Sequence, residues 1–260
     1  MSMEKAKAAL NDLSGKTAIV TGAGRGQGAV EAALLAEAGA RVMLCDVLVE
    51  EGEGEAEKLR AAGHDARFLK LDVTSEADWQ TVVDAVREWT GSLDILVNNA
   101  GIIRRADSVD YSEADWDDVM DVNLKALFFT CQAFGKALLA QDMPGAVINI
   151  ASLLSFQGGI RVPAYTAAKH GVAGVTKILA NEWAPHGITV NAIAPGYIAT
   201  NNTQALRDDP ERSAAILDRI PAGRWGDASD IGGTASFLAS PAATYITGAV
   251  LNVDGGWLAR

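Results

Sequence analysis

The sequence predicts an α/β fold: a doubly wound parallel sheet of about seven strands with helices on both faces, in three α/β/α layers. Three observations predict it. Short apolar runs recur along the 260 residues and alternate with stretches of helical pattern. The runs are continuous rather than alternating apolar and polar, as expected of strands buried on both faces. The helical stretches between them supply the crossovers that parallel neighbours require.

The first strand, Thr17-Ala18-Ile19-Val20-Thr21, leads into a glycine-rich turn, and the helix that follows, 26–38, is stopped by Gly39. Residues 41–45 make the second strand, ended by Asp46, and 50–62 a polar-faced helix stopped by Gly63. The third strand is 67–71. Ser75 then caps a helix whose first turn carries Glu76 and Asp78, where carboxylates meet the positive end of the dipole. Residues 94–97, 146–151, 189–194 and 249–253 complete the sheet, with helices expected over 122–140 and 164–180. No low-complexity linker divides the chain, so a single domain over 1–260 is expected.

Composition excludes several partners. Twenty-two Lys and Arg stand against 33 Asp and Glu, a formal net charge of −11. No basic stripe exists to displace counterions from nucleic acid, or to hold an anionic membrane surface. No apolar run approaches the ~18–20 residues of a membrane span. The start, Met1 to Lys7, is charged and lacks the apolar stretch of a signal peptide, so a soluble cytoplasmic protein is expected. Cys45 and Cys131 are too few and too far apart for a disulfide framework, and no two of the three histidines have metal-ligand spacing; no metal is expected.

In a doubly wound sheet, ligands bind beyond the carboxyl ends of the strands. After the first strand comes Gly22-Ala23-Gly24-Arg25-Gly26-Gln27-Gly28, where the backbone must turn tightly and approach a phosphate without a Cβ in the way. Asp46 ends the second strand twenty residues beyond Gly26. A carboxylate there accepts hydrogen bonds from both ribose hydroxyls and repels a 2′-phosphate, which favours NAD over NADP. Arg25 and Arg41 leave the phosphate alternative open. Asp72 and Val73 close the third strand, where a carboxylate could meet an adenine amino group. Asn99, Ala100 and Gly101 close the fourth, allowing close approach of the backbone to a cofactor.

The fifth strand ends in Ala151-Ser152, and the helix beginning near Pro163 carries Tyr165 and Lys169, four residues apart and therefore on one face. An ammonium beside a phenol favours phenolate and lowers its pKa from about 10. A phenol so tuned can give or take a proton as a carbonyl and an alcohol interconvert. Ser152 could orient the same oxygen.

These ordered motifs resemble the short-chain dehydrogenase/reductase family over essentially the whole chain. They are Thr21-Gly22-x-x-x-Gly26-x-Gly28, Asp72, Asn98-Asn99-Ala100-Gly101, Asn123, Ser152, Tyr165-x-x-x-Lys169, and Pro195-Gly196 followed by Thr200. The resemblance implies a Rossmann-type fold and hydride transfer with a nicotinamide cofactor. Tyr165 would be the general acid/base, with Lys169 tuning it and holding the nicotinamide ribose. Ser152 would position the substrate oxygen, and Asn123 would support a proton-relay water. Ile198 and Thr200 would meet the carboxamide. It also implies a homotetramer built on the two helices at 122–140 and 164–180. Gln27 departs from the apolar residue usual between the last two glycines.

The second half is most similar to the sugar-acid dehydrogenases of that family acting on 2-dehydro-3-deoxy-D-gluconate and related deoxygluconates. The resemblance lies in the stretches 101–105, 154–163, 199–203 and 218–225. An anionic substrate entering a protein of charge −11 needs a local cation, ideally a bidentate arginine. Arg104, Arg105 and Arg161 lie in the expected loops, and Gln157, Asn201 and Asn202 suit a polyol. The segment from about 196 to 225 is the expected substrate loop. Two alternatives stand beside this reading: a dehydrogenase of another alcohol, such as a hydroxysteroid or neutral polyol, and a non-catalytic dinucleotide sensor.

Overall fold

Seven parallel strands form one sheet in the order β3-β2-β1-β4-β5-β6-β7. They are β1 (Thr17–Thr21), β2 (Arg41–Asp46), β3 (Ala66–Lys70), β4 (Ile95–Asn98), β5 (Gly145–Ile150), β6 (Ile188–Pro195) and β7 (Val250–Val253). This computed structural model describes residues 11–260, so the charged start Met1 to Lys7 lies outside the described residues. The expected doubly wound α/β fold is the one observed. The order reverses between β1 and β4, which separates the crossovers on either side and opens a crevice above the two strand ends.

Nine α-helices fill the connections among the described residues. They are α1 (Gly26–Glu37), α2 (Val49–Ala61), α3 (Glu76–Thr90), α4 (Glu113–Met120), α5 (Leu127–Leu139), α6 (Pro163–Trp183), α7 (Gln204–Arg207), α8 (Pro210–Arg219) and α9 (Ala228–Ala239). Residues alternate across each strand and so build two cores. Ile19, Met43, Cys45 and Leu96 pack with Val82 of α3, Phe134 of α5 and Val172 of α6. Ala18, Val20, Leu44 and Val97 pack on the other face with Leu35 of α1, Leu59 of α2 and Ile231 of α9. β1 and β4 are buried throughout, whereas the edge strands β3 and β7 are partly exposed because no strand lies beyond them.

Two differences from the sequence reading bear on the site. The helix expected over 122–140 is part of a longer helical run, in which a π turn, Asp121–Ala126, joins α4 to α5. Beyond β6, the chain makes a helical excursion through α7 and α8 before α9. Ile216 and Ile220 of this excursion pack with Leu153 and Trp257 as a third, small apolar cluster over the strand ends. Among the described residues, no helix is long and apolar enough to cross a membrane.

Candidate active site

One cleft of about 670 Å3 runs along the carboxyl ends of the strands. Its wall carries Gly22, Arg25, Gly26, Gln27, Asp46, Asp72, Val73, Asn99, Ala100 and Gly101 at one end. Asn123, Ser152, Tyr165 and Lys169 lie further along, with Pro195, Gly196, Ile198 and Thr200 on the β6 side.

The glycine-rich turn is held from below by Asn99. Its amide Nδ2 donates to the carbonyls of Thr21 and Gly22, each at 3.0 Å. Gly22 has φ +65° and lies so close to β4 that a Cβ would be 2.8 Å from Ala100 Cα. Asn99 therefore braces the turn, and what faces the cleft there is backbone. Asp46 accepts from Gly24 N at 2.8 Å through one carboxylate oxygen and from Leu48 N at 3.0 Å through the other. Each oxygen keeps a lone pair for a further donor. Asp72 has spent one oxygen on Thr74, whose N and Oγ1 donate at 2.9 and 2.7 Å.

Beneath the turn, Gln27 Nε2 donates to Glu31 Oε1 at 2.9 Å and to Asn99 Oδ1 at 3.4 Å. Glu31 is buried, and its second oxygen has no hydrogen-bond partner. Burial pushes its carboxyl from the ordinary 4.5 up to about 8, against the Gln27 hydrogen bond. The folded chain therefore holds this proton through a pH range in which the unfolded chain gives it up. Stability from this group is full below the ordinary carboxylate pKa, declines as pH rises, and is lost by about pH 8. Glu31→Gln is expected to flatten the decline of Tm between about pH 5 and about pH 8, an effect on the order of a few kcal/mol. Thermal melts across that range check it; an unchanged slope contradicts the assignment.

At the other end, the N-terminal turn of α6 presents Tyr165 and Lys169. Lys169 is buried and its Nζ donates to Ile150 O at 2.6 Å, at the end of β5. Burial brings its ammonium down to about 8. It lies 5.5 Å from the centre of the Tyr165 ring. The expected lowering of the phenol by Lys169 is corrected: burial dominates and raises Tyr165, while a hydrogen bond from Ser152 and the charge of Arg105 pull it down. The ammonium is committed to the Ile150 carbonyl.

Asn123 sits within the π turn with its side chain engaged on the loop after β4. Nδ2 donates to Ile102 O and Val119 O, both at 2.9 Å, and Oδ1 accepts from Ile102 N at 3.0 Å. Ile198 is buried; its carbonyl accepts from Thr200 N at 3.0 Å and from Thr203 Oγ1 at 2.6 Å.

Of the residues expected at the substrate, Arg105, Gln157, Arg161, Asn201 and Asn202 line the cleft. Arg105 Nη2 donates to Asn202 O at 3.1 Å, tying the β4 loop to the excursion after β6. Arg161 pairs with Asp107 at 3.1 Å. Arg104 is corrected: it is held outside the cleft by Asp118 at 2.6 Å and Asp115 at 3.7 Å, the acids of α4. Sequence reasoning missed Tyr197, Leu206, Arg212, Arg219 and Trp257, all on the same wall. The spacing of Arg212, Ile216 and Arg219 on one helical face was the available signal.

A family model described as an enoyl-(acyl carrier protein) reductase matches residues 22–258. The chain belongs to the short-chain dehydrogenase/reductase family. Among its relatives, the 2-dehydro-3-deoxy-D-gluconate 5-dehydrogenase of Escherichia coli K12 is 54% identical over 253 residues, 95% of this chain and 97% of that one. A crystal structure from Agrobacterium tumefaciens, provisionally described as a 2-deoxy-D-gluconate 3-dehydrogenase with bound NADP, is 60% identical. It has a TM-score of 0.90 and covers 96% of this short-chain dehydrogenase/reductase and 99% of that chain. A gluconate 5-dehydrogenase from Burkholderia cenocepacia J2315, in complex with NADP and tartrate, is 38% identical with a TM-score of 0.93, over 98% and 99% of the two chains.

Proposed function

We propose that this short-chain dehydrogenase/reductase is an NAD-dependent oxidoreductase that interconverts a secondary alcohol and a ketone on a sugar acid, 2-dehydro-3-deoxy-D-gluconate or a deoxygluconate. One observation carries the reading: Ser152, Tyr165 and Lys169 meet in the same cleft as the glycine-rich turn and Asp46. The cradle suits a dinucleotide, because Gly22 and Gly26 adopt positive φ and leave only backbone against a pyrophosphate. Asp46 would take the adenine ribose, Asp72 and Val73 the adenine, and Lys169 the nicotinamide ribose, with Ile198 and Thr200 at the carboxamide. A bound nicotinamide supplies the hydride acceptor or donor.

The protein's own residues handle the proton. Ser152 holds the substrate oxygen, and Tyr165 takes the hydroxyl proton during oxidation and returns it during reduction. The side chain of Asn123 is committed to backbone, so support for a relay water would come from the widened backbone of its π turn. The chain would act as a single domain in which the segment 196–225 closes over the substrate. We further propose a cytoplasmic homotetramer. Its support is an apolar groove lined by Leu124, Phe128, Phe129 and Val175, beside the small residue Gly171, with Phe129 half exposed.

The test is a substrate panel of keto sugar acids, aldonates and steroids, each assayed with both cofactors. Turnover confined to steroids overturns the substrate. Two relatives hold NADP, and Arg25 at the cleft gives that cofactor its opening here. Asp46→Ala is therefore expected to shift the NAD:NADP ratio of kcat/KM at least about tenfold toward NADP, the loss of one charged repulsion. An unchanged ratio contradicts the role of Asp46.

A further inference from the structure

We propose that the carboxylate of the substrate is bound from the excursion after β6, by Arg219 with Arg212 beside it on α8. The inference rests on the sugar-acid reading above and names the group that recognises the acid.

Arg212, Ile216 and Arg219 follow one another at i, i+4 and i+7, so they share one face of α8. Ile216 fixes the direction of that face, because it is buried against Leu153, Ile220 and Trp257 over the strand ends. Both arginines consequently line the cleft, on the side where Leu153 follows Ser152.

Of the other arginines at or beside the cleft, three are already engaged and Arg25 lies at the far end. Arg104 is taken by Asp115 and Asp118, and Arg161 by Asp107. Arg105 donates to Asn202 O, and Arg25 stands at the glycine-rich turn. Among the described residues, the side chains of Arg212 and Arg219 make neither an ion pair nor a hydrogen bond.

Arg219 is also preorganised. Its Cζ lies 3.9 Å from the centre of the Trp257 ring. Stacking occupies the face of a guanidinium and leaves its in-plane N–H donors free for a bidentate carboxylate. Trp257 is anchored in turn, since its indole N–H donates to Gln157 Oε1 at 3.3 Å, and it packs 4.8 Å from the ring of Tyr197. In a protein of net charge −11, two cations without counter-ions on one wall of a cleft are a local reversal of the surrounding field.

The experiment compares Arg219→Met, Arg219→Lys and Arg212→Met on the sugar acid and on its uncharged primary amide. Arg219→Met is expected to raise KM for the acid about tenfold or more, with kcat within about threefold and KM for the amide unchanged. Arg219→Lys, which keeps the charge without the planar fork, should recover part of the loss. Arg212→Met leaves the Trp257 stack intact and should show a smaller effect of the same kind. Calorimetric titration of tartrate into the enzyme–NADH complex provides a readout that needs no turnover, and Arg219→Met should weaken it about tenfold. If no sugar acid in the panel is turned over, the functional reading falls and the tartrate titration alone decides the anion site. Equal KM for the acid or equal tartrate affinity in wild type and Arg219→Met overturns the inference. So does a wild-type protein that binds neither carboxylate.

Discussion

Tyr165→Phe is expected to lower kcat by about 10²- to 10⁴-fold, the usual contribution of a positioned general acid/base. NADH affinity should stay within about twofold, because the change removes one oxygen and leaves the ring on its wall. Burial raises this phenol, and the Ser152 hydrogen bond and the Arg105 charge oppose that rise. The phenol oxygen is thus the atom on which Ser152 and Arg105 act. NADH absorbance measures turnover and fluorescence titration measures binding. Turnover retained at the wild-type level would remove Tyr165 from the chemistry. A matched loss of NADH affinity would indicate instead that the ring supports the cofactor pocket.

Gly28→Ala should be nearly as damaging, through a different physical route. A Cβ at residue 28 would lie 2.3 Å from the carbonyl oxygen of Gly22 and 2.4 Å from Asn99 Nδ2. Neither neighbour can yield cheaply, since the first is backbone of the turn and the second is the amide that braces it. Overpacking of this kind costs about 1–3 kcal/mol, which for a chain of this size lowers Tm by several degrees. The larger effect is expected on the dinucleotide, with affinity falling at least about tenfold as the turn lifts away from β4. Titration with NADH and a thermal melt read the two effects separately. Unchanged NADH affinity would place the pyrophosphate away from this turn.

Much of the fold was legible because strand patterns and breakers are local. The continuous run Ala18-Ile19-Val20 and the stop at Gly39 need only neighbouring residues to be read. The π turn was not legible. Asp121 to Ala126 has the apolar spacing of a regular helix, and the distortion accompanies the ties of Asn123 to Ile102, twenty-one residues away. The role of Asn99 as a brace was hidden for the same reason, since its partners Thr21 and Gly22 lie at the end of β1 and in the turn after it.

By itself, the sequence determined the succession of strands and helices along the chain, the glycine-rich turn with Asp46, and the pairing of Tyr165 with Lys169. All of these depend on spacing along one segment. Only the tertiary structure decided which arginines are available to an anion. Arg104 and Arg161 look as suitable as Arg219 in the sequence, but Asp118 and Asp107 take them up, while Arg219 is left stacked on Trp257. It likewise decided that burial is the largest influence on the Tyr165 phenol. The reason is physical: the strength of a charge in a cleft depends on its counter-ions and its desolvation, and both come from residues far apart in the chain.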